Sequence, residues 1–157
     1  MPAIVLKTLI KEDINVVFDL AKSIDLHMLS TEQTNEKAIA GKTSGLIELG
    51  EFVTWRAKHF GVYQTLTTKI TVLEKPRLFV DEQTKGIFKS FRHEHLFEET
   101  EKGTLMVDKF EYESPLGFLG RLMDWLIIKN YMIDFLKKRN LTIKRVAETN
   151  GIQKRKK

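Results

Sequence analysis

Six strand-like segments stand in a row through this 157-residue chain, and their spacing limits the fold more than any other feature. They cover residues 43–49, 51–59, 62–73, 77–84, 87–98 and 104–112, with breaks at Gly50, Gly61, Lys75-Pro76, Lys85-Gly86 and Glu101-Lys102-Gly103. Connections this short join antiparallel neighbours, because a parallel crossover needs roughly a dozen residues or more. The expectation is therefore a meander, each strand pairing with the next. The threonine-rich run 65–72 favours strand over helix through its β-branched side chains.

Other periods flank the meander. Residues 4–10 are a short apolar run suited to a first strand. From Glu12 the apolar positions Ile14, Val17, Phe18 and Ala21 follow helical spacing, with Glu12 and Asp13 at the positive end of the helix dipole. A second short helix is expected over 25–29 and a polar loop over 30–40. Ser114 can cap a C-terminal helix with Pro115 at its first position, running to about Arg139. Phe118, Leu122, Trp125, Leu126, Met132, Ile133 and Leu136 share one broad face of that helix, and Lys129 falls inside it. Met123, Ile127, Ile128, Tyr131 and Phe135 crowd another side, which predicts burial in a homodimer or under the chain's own termini. Arg121, Asp124, Lys129 and Asp134 interrupt the helix too often for a membrane span.

The length suits one domain, expected over 1–143, with a basic tail at 144–157. The net charge of +5 sits in that tail: it holds six basic residues and one acidic, and the rest of the chain carries 20 of each. Weak, salt-sensitive contact with anionic membranes is therefore assigned to the tail alone. No nucleic-acid partner is expected, since alternation sends Trp55 and Arg56, or Phe91 and Arg92, to opposite faces. Cysteine is absent, which removes disulfides and thiolate chemistry. The first seven residues lack the charged start and apolar core of a signal peptide, so a cytoplasmic location is expected.

The chemistry gathers between residues 87 and 98. Phe91, His93, His95 and Phe97 share one strand face, while Ser90, Arg92, Glu94, Leu96 and Glu98 take the other. The second set suits water, so the first faces inward, where a titratable ring needs a partner, a water or a ligand. The two rings stand about 7 Å apart along the strand, and Asp108 on the next strand falls roughly opposite one of them. Three roles stay open: an acid–base pair oriented by Asp108, a buried hydrogen bond that fixes register, or recognition of a ligand's polar group. Two histidines and an aspartate can also supply three metal ligands. No spacing signature of a metal motif accompanies them, so no metal and no cofactor is expected. Trp55 is either plain core or a ligand wall, and His59 is read as a rim residue near Gly61. No phosphate loop or serine nucleophile turn is present.

The order of one strand, two short helices, a six-stranded meander and a long C-terminal helix resembles the helix-grip fold of the START and birch-pollen-allergen (SRPBCC) superfamily. The stretches that carry it are Gly45-Leu46-Ile47-Glu48-Leu49-Gly50-Glu51-Phe52-Val53-Thr54-Trp55, Phe91-Arg92-His93-Glu94-His95-Leu96-Phe97, Gly103-Thr104-Leu105-Met106-Val107-Asp108 and Ser114-Pro115-Leu116-Gly117. Locally the sequence is similar to the bacterial polyketide cyclase/dehydrase-like or ligand-binding branch. The resemblance implies an α+β fold in which a curved antiparallel sheet wraps around the last helix and leaves a cavity. Combined with strand alternation, it implies a lining of Val53, Trp55, Phe91, His93, His95, Phe97, Met106, Asp108, Phe110, Tyr112, Leu122 and Trp125. It also implies a small apolar or aromatic ligand (lipid, polyketide or isoprenoid-like), held by a carrier or sensor. The alternatives are a cyclase- or dehydratase-type enzyme moving protons with His93, His95 and Asp108, and an interaction protein using the long helix.

Overall fold

The computed structural model describes residues 2–156, apart from the side chains at 124, 125 and 155. Among these residues seven strands form one antiparallel sheet: β1 (Ala3–Ile10), β2 (Lys37–Gly41), β3 (Phe52–His59), β4 (Val62–Glu74), β5 (Leu78–Lys85), β6 (Ser90–Thr100) and β7 (Gly103–Glu113). Their spatial order is β1-β7-β6-β5-β4-β3-β2, so β2 to β7 are a meander and β1 returns beside β7. Helices α1 (Ile14–Lys22) and α2 (Ile24–Ser30) connect β1 to β2. After the sheet come α3 (Gly117–Met123), a π-helical turn (Asp124–Ile128) and α4 (Lys129–Arg155). This is the helix-grip architecture, a curved sheet closed over a long C-terminal helix.

Local chemistry starts the two short helices where the sequence changes period. Asp13 caps α1 by accepting the Asn15 N–H at 2.9 Å, and Ser23 caps α2 by accepting the Leu26 N–H at 3.1 Å. Between them and the sheet the expectation needs correction. Residues 43–49 form no strand beyond a single bridge from Leu46 to Ser23. Gly41, Gly45 and Gly50 all have positive φ, which turns the chain out of extended geometry. At Gly41 the Phe52 carbonyl occupies the space a Cβ would need. The edge strand is instead Lys37–Gly41, in the stretch expected as loop, paired with β3 through a bulge between Ala38 and Ala40.

The C-terminal helix also departs from expectation. It begins at Gly117 rather than Pro115 and runs past Arg139 to Arg155, so no break falls at residue 143. Ile143 and Ala147 are core residues, Lys144 Nζ donates to the Leu9 carbonyl at 2.6 Å, and Glu148 accepts the Lys11 N–H at 3.0 Å. The basic segment up to 155 is therefore the end of the helix that grips β1. The π-helical turn explains Lys129: one extra residue rotates all later side chains by about 100° around the helix axis. Lys129 is thereby exposed, and Ile128, Tyr131 and Phe135 join Met132 and Leu136 on the inner side.

Two apolar clusters hold the layers together. Under α1, the fully buried Phe18 meets Phe79 and Phe97 edge-on at 5.6 and 5.2 Å. At the other end of the sheet Ile4, Phe91, Phe110 and Tyr112 pack with Leu136. Residues of both clusters face the space between sheet and helix.

Candidate functional site

That space is a cavity of about 320 Å³, walled by β3–β7, the α1–α2 junction and the inner face of the last helix. Ile24, Ile47, Val53, Ile70, Phe79, Phe91, Met132, Phe135 and Leu136 make most of it apolar. Its volume is at the small end of the range for small-molecule pockets, roughly 300–1,000 Å³.

One wall is polar, and strand register builds it. Asp81 on β5 pairs with His93 on β6, and His95 pairs with Asp108 on β7. The hydrogen bonds run diagonally across these pairs. His93 Nε2 meets Asp108 Oδ1 at 2.9 Å, and His95 Nε2 meets Asp81 Oδ1 at 2.9 Å. The two rings lie 3.8 Å apart between centroids, and His95 stacks on Phe79 at 4.1 Å. His95 Nδ1 is 3.1 Å from Asp108 Oδ1, an electrostatic contact without hydrogen-bond alignment. From α4, Asn140 Nδ2 donates to Asp108 Oδ2 at 2.6 Å, and Arg139 donates to Asp108 Oδ1 at 3.4 Å and to Asn140 Oδ1 at 2.9 Å. Asp108 thus pins helix to sheet while orienting a histidine.

Burial pushes the His93 pKa down to about 4, and the nearby His95 charge adds to this against the pull of Asp108. Burial alone would raise both aspartates. For Asp81 the His95 hydrogen bond, His93 and Arg139 outweigh it and hold the carboxyl below its ordinary value. For Asp108 the two histidines and Arg139 hold it well below. At neutral pH the wall therefore presents a neutral His93 between two carboxylates, with Arg139 as counter-charge. Asp81, His93 and His95 also bring ligand-capable atoms within 4.8 Å of one another, so among the described residues they are the group that could hold a cation. Asp108, the aspartate expected in that role, is occupied by His93, Asn140 and Arg139.

A second polar group lines the cavity beyond the apolar walls. His27 Nε2 on α2 meets Glu36 Oε1 at 3.3 Å, and the His27 ring lies 4.4 Å from Trp55. His59 at the end of β3 bonds the Tyr131 hydroxyl through Nδ1 at 2.7 Å. Burial lowers the His59 pKa, against an upward pull from Glu36.

Of the residues expected to line the cavity, Val53, Trp55, Phe91, His93, His95 and Phe110 do so. Asp108 lies behind the histidines, fully buried, and reaches the cavity only through them. Phe97 and Met106 face inward as alternation requires but belong to the core beneath α1. Tyr112 belongs to the opposite core cluster. Leu122 is 44% exposed and lies outside the cavity lining. The side chain of Trp125 lies outside the described residues. On the other expected helix side, Met123 and Ile127 are exposed while Ile128, Tyr131 and Phe135 turn into the cavity. Asp81, Arg139, Glu36 and Tyr131 were missed as polar wall residues, and His27 and His59 were placed too far out. Two signals could have found the first pair: Asp81 shares a strand face with Phe79, and Arg139 continues the helical stripe of Met132 and Leu136.

Solved structures share this fold. A protein from Thermus thermophilus is 17% identical, with 90% of this chain and 97% of that one covered and a TM-score of 0.71. Ginseng major latex-like protein 151 from Panax ginseng is also 17% identical, covering 93% and 97% with a TM-score of 0.69. The di-domain ARO/CYC StfQ from the steffimycin biosynthetic pathway is 10% identical, with a TM-score of 0.76 over 95% of this chain and 51% of that one. No protein-family model and no curated protein matches the chain. The chain has the SRPBCC, birch-pollen-allergen-like fold. Among the described residues no helix is long and apolar enough to cross a membrane.

Proposed function

We propose that the protein binds a small apolar or aromatic ligand in the cavity, as a carrier or sensor. One observation carries this reading: a partly open, mostly apolar cavity between sheet and helix into which a bonded His–Asp–Arg wall turns a few polar groups. Apolar walls give affinity by removing ligand surface from water, at about 25 cal/mol per Å², and a few polar groups fix orientation. Lipid, polyketide and isoprenoid-like molecules have the matching chemistry. Native mass spectrometry after exposure to a lipid or metabolite extract tests it. A discrete bound mass is expected, and ligand-free protein across such extracts would count against it.

Proton transfer is the second reading, favoured by the Asp81–His95 pair at the cavity wall with His93–Asp108 beside it. A cyclase- or dehydratase-type reaction needs a positioned acid and base of this kind. Retained ligand binding with lost turnover in His95→Gln would support it. Equal turnover in the variant would remove it.

A further inference from the structure

We infer that the end of the cavity opposite the His–Asp–Arg wall is an ammonium site, where Glu36 and Gln64 accept N–H bonds from a primary or secondary amine. The inference rests on the cavity's being a ligand site, and it names the ligand's chemical class.

Register places the two acceptors. Glu36 precedes the Lys37–Arg56 pair by one residue and so falls beside Ala57 on β3, and Ala57 pairs with Gln64 on β4. The three form a row across the sheet at roughly 4.8 Å between strands, and all three line the cavity. Ala57 has only a methyl group, which leaves space between the two longer side chains. Glu36 is 7% exposed, and its Oε2 accepts no hydrogen bond from the protein. The Thr31 hydroxyl close by gives its proton to the His27 carbonyl at 2.9 Å. Gln64 Oε1 is likewise buried and unpartnered. Among the described residues no lysine or arginine pairs with Glu36, whose ion-pair partner is His27.

Two buried oxygens without donors, Gln64 Oε1 and the second oxygen of the His27-bonded Glu36 carboxylate, are costly unless something donates to them. Burial alone would raise the Glu36 carboxyl, but the charge and hydrogen bond of His27, with His59 beyond it, outweigh burial and hold the group below its ordinary value. At neutral pH it is anionic. Trp55 and His59 flank Ala57 on the same strand face, and Tyr131 bonds His59 from the helix, so aromatic rings line the same part of the cavity as the carboxylate. Rings and a carboxylate together favour an organic cation. An alcohol offers one proton to two acceptors, whereas an ammonium offers two or three and neutralises the charge. On the opposite wall both aspartates are bonded internally, and the atom left without a partner is a ring nitrogen, His95 Nδ1, not a carboxylate oxygen.

The test is displacement of the neutral fluorophore N-phenyl-1-naphthylamine at pH 7 by 1-naphthylmethylamine, a cation, and by 1-naphthalenemethanol, its neutral counterpart. The amine should compete at least tenfold better in wild type. Glu36→Gln should bring the two within about threefold, each competitor being scaled to the fluorophore affinity measured for that same variant. Gln64→Leu, which keeps the carboxylate, should weaken the amine selectively and serves if Glu36→Gln does not fold. Equal competition in wild type, or a preference that survives both substitutions, overturns the ammonium site and leaves the cavity reading standing. A fluorophore that does not bind at all overturns both.

Discussion

Acid should destabilise this fold well above the range where its carboxylates titrate, and His93 is the reason. The ring is 6% exposed and its pKa in the fold is about 4, against roughly 6.5 in an unfolded chain. Between those values the unfolded state holds a proton that the folded state refuses, so stability rises with pH across the window and is lost as pH falls. The full effect of a shift this size is roughly 3 kcal/mol at about 1.4 kcal/mol per unit, and roughly 2 kcal/mol of it falls between pH 7 and pH 5. Asp81 and Asp108, held low, contribute stability above the unfolded carboxylate value and lose it only at more acidic pH. They do not contaminate this window. His59, lowered by burial, adds a smaller change of the same sign. Urea unfolding followed by far-UV circular dichroism at pH 5, 6 and 7 measures the slope, with His93→Gln as control. Wild type should lose roughly 2 kcal/mol or somewhat more on acidification, and the variant should lose much less from a lower starting stability. A flat wild-type profile, or equal slopes in both proteins, would refute the reasoning.

Other perturbations have equally definite outcomes. Asp108→Asn removes the anionic partner of Arg139 and His93 in a dry interior, so urea unfolding should show a loss of roughly 3–5 kcal/mol. A change below about 1 kcal/mol would mean that this helix-to-sheet pin adds little. Phe18→Ala empties a fully buried site between Phe79 and Phe97 and should cost roughly 3–5 kcal/mol. Fluorophore affinity in the folded fraction should be unchanged, because Phe18 lies outside the cavity lining. Truncation after Ile143 removes Ala147 and the contacts from Lys144 and Glu148 to β1 and its end, which should lower the thermal midpoint by roughly 5 °C or more. An unchanged midpoint would contradict a helix that continues into the basic segment.

The meander was legible because breakers and β-branched runs act locally, and short connections leave one pairing topology. Alternation along β6 and β7 put Phe91, His93, His95, Phe97, Met106, Asp108, Phe110 and Tyr112 on the buried face, as the structure has them. Which part of that face meets a cavity is a tertiary matter. Phe97 and Met106 are covered by α1, and no pattern within β6 or β7 says where α1 will rest. The edge strand was missed because Lys37 to Gly41 has one backbone neighbour and mostly exposed side chains, so burial leaves little hydrophobic imprint on it. Lys129 was unexplained because one π-helical turn shifts the phase of every later residue, and for the same reason Leu122, which precedes the turn, no longer shares a face with Met132 and Leu136. The basic charge between Lys144 and Arg155 hid a helical stripe of only Ile143, Ala147 and Gly151, three small or medium residues that are buried against α1, β1 and Glu12.

A single pair of titrations bears most directly on the cavity as a ligand site. Leu136 is 3% exposed and lines the cavity from the helix, so Leu136→Trp places an indole where a ligand's apolar body would lie. Wild-type protein should bind N-phenyl-1-naphthylamine saturably at one site per chain, with the blue-shifted emission of a dry environment. The variant should remain folded by circular dichroism and bind at least tenfold more weakly. Wild type with no saturable binding, or a folded variant that binds as tightly, would contradict the account.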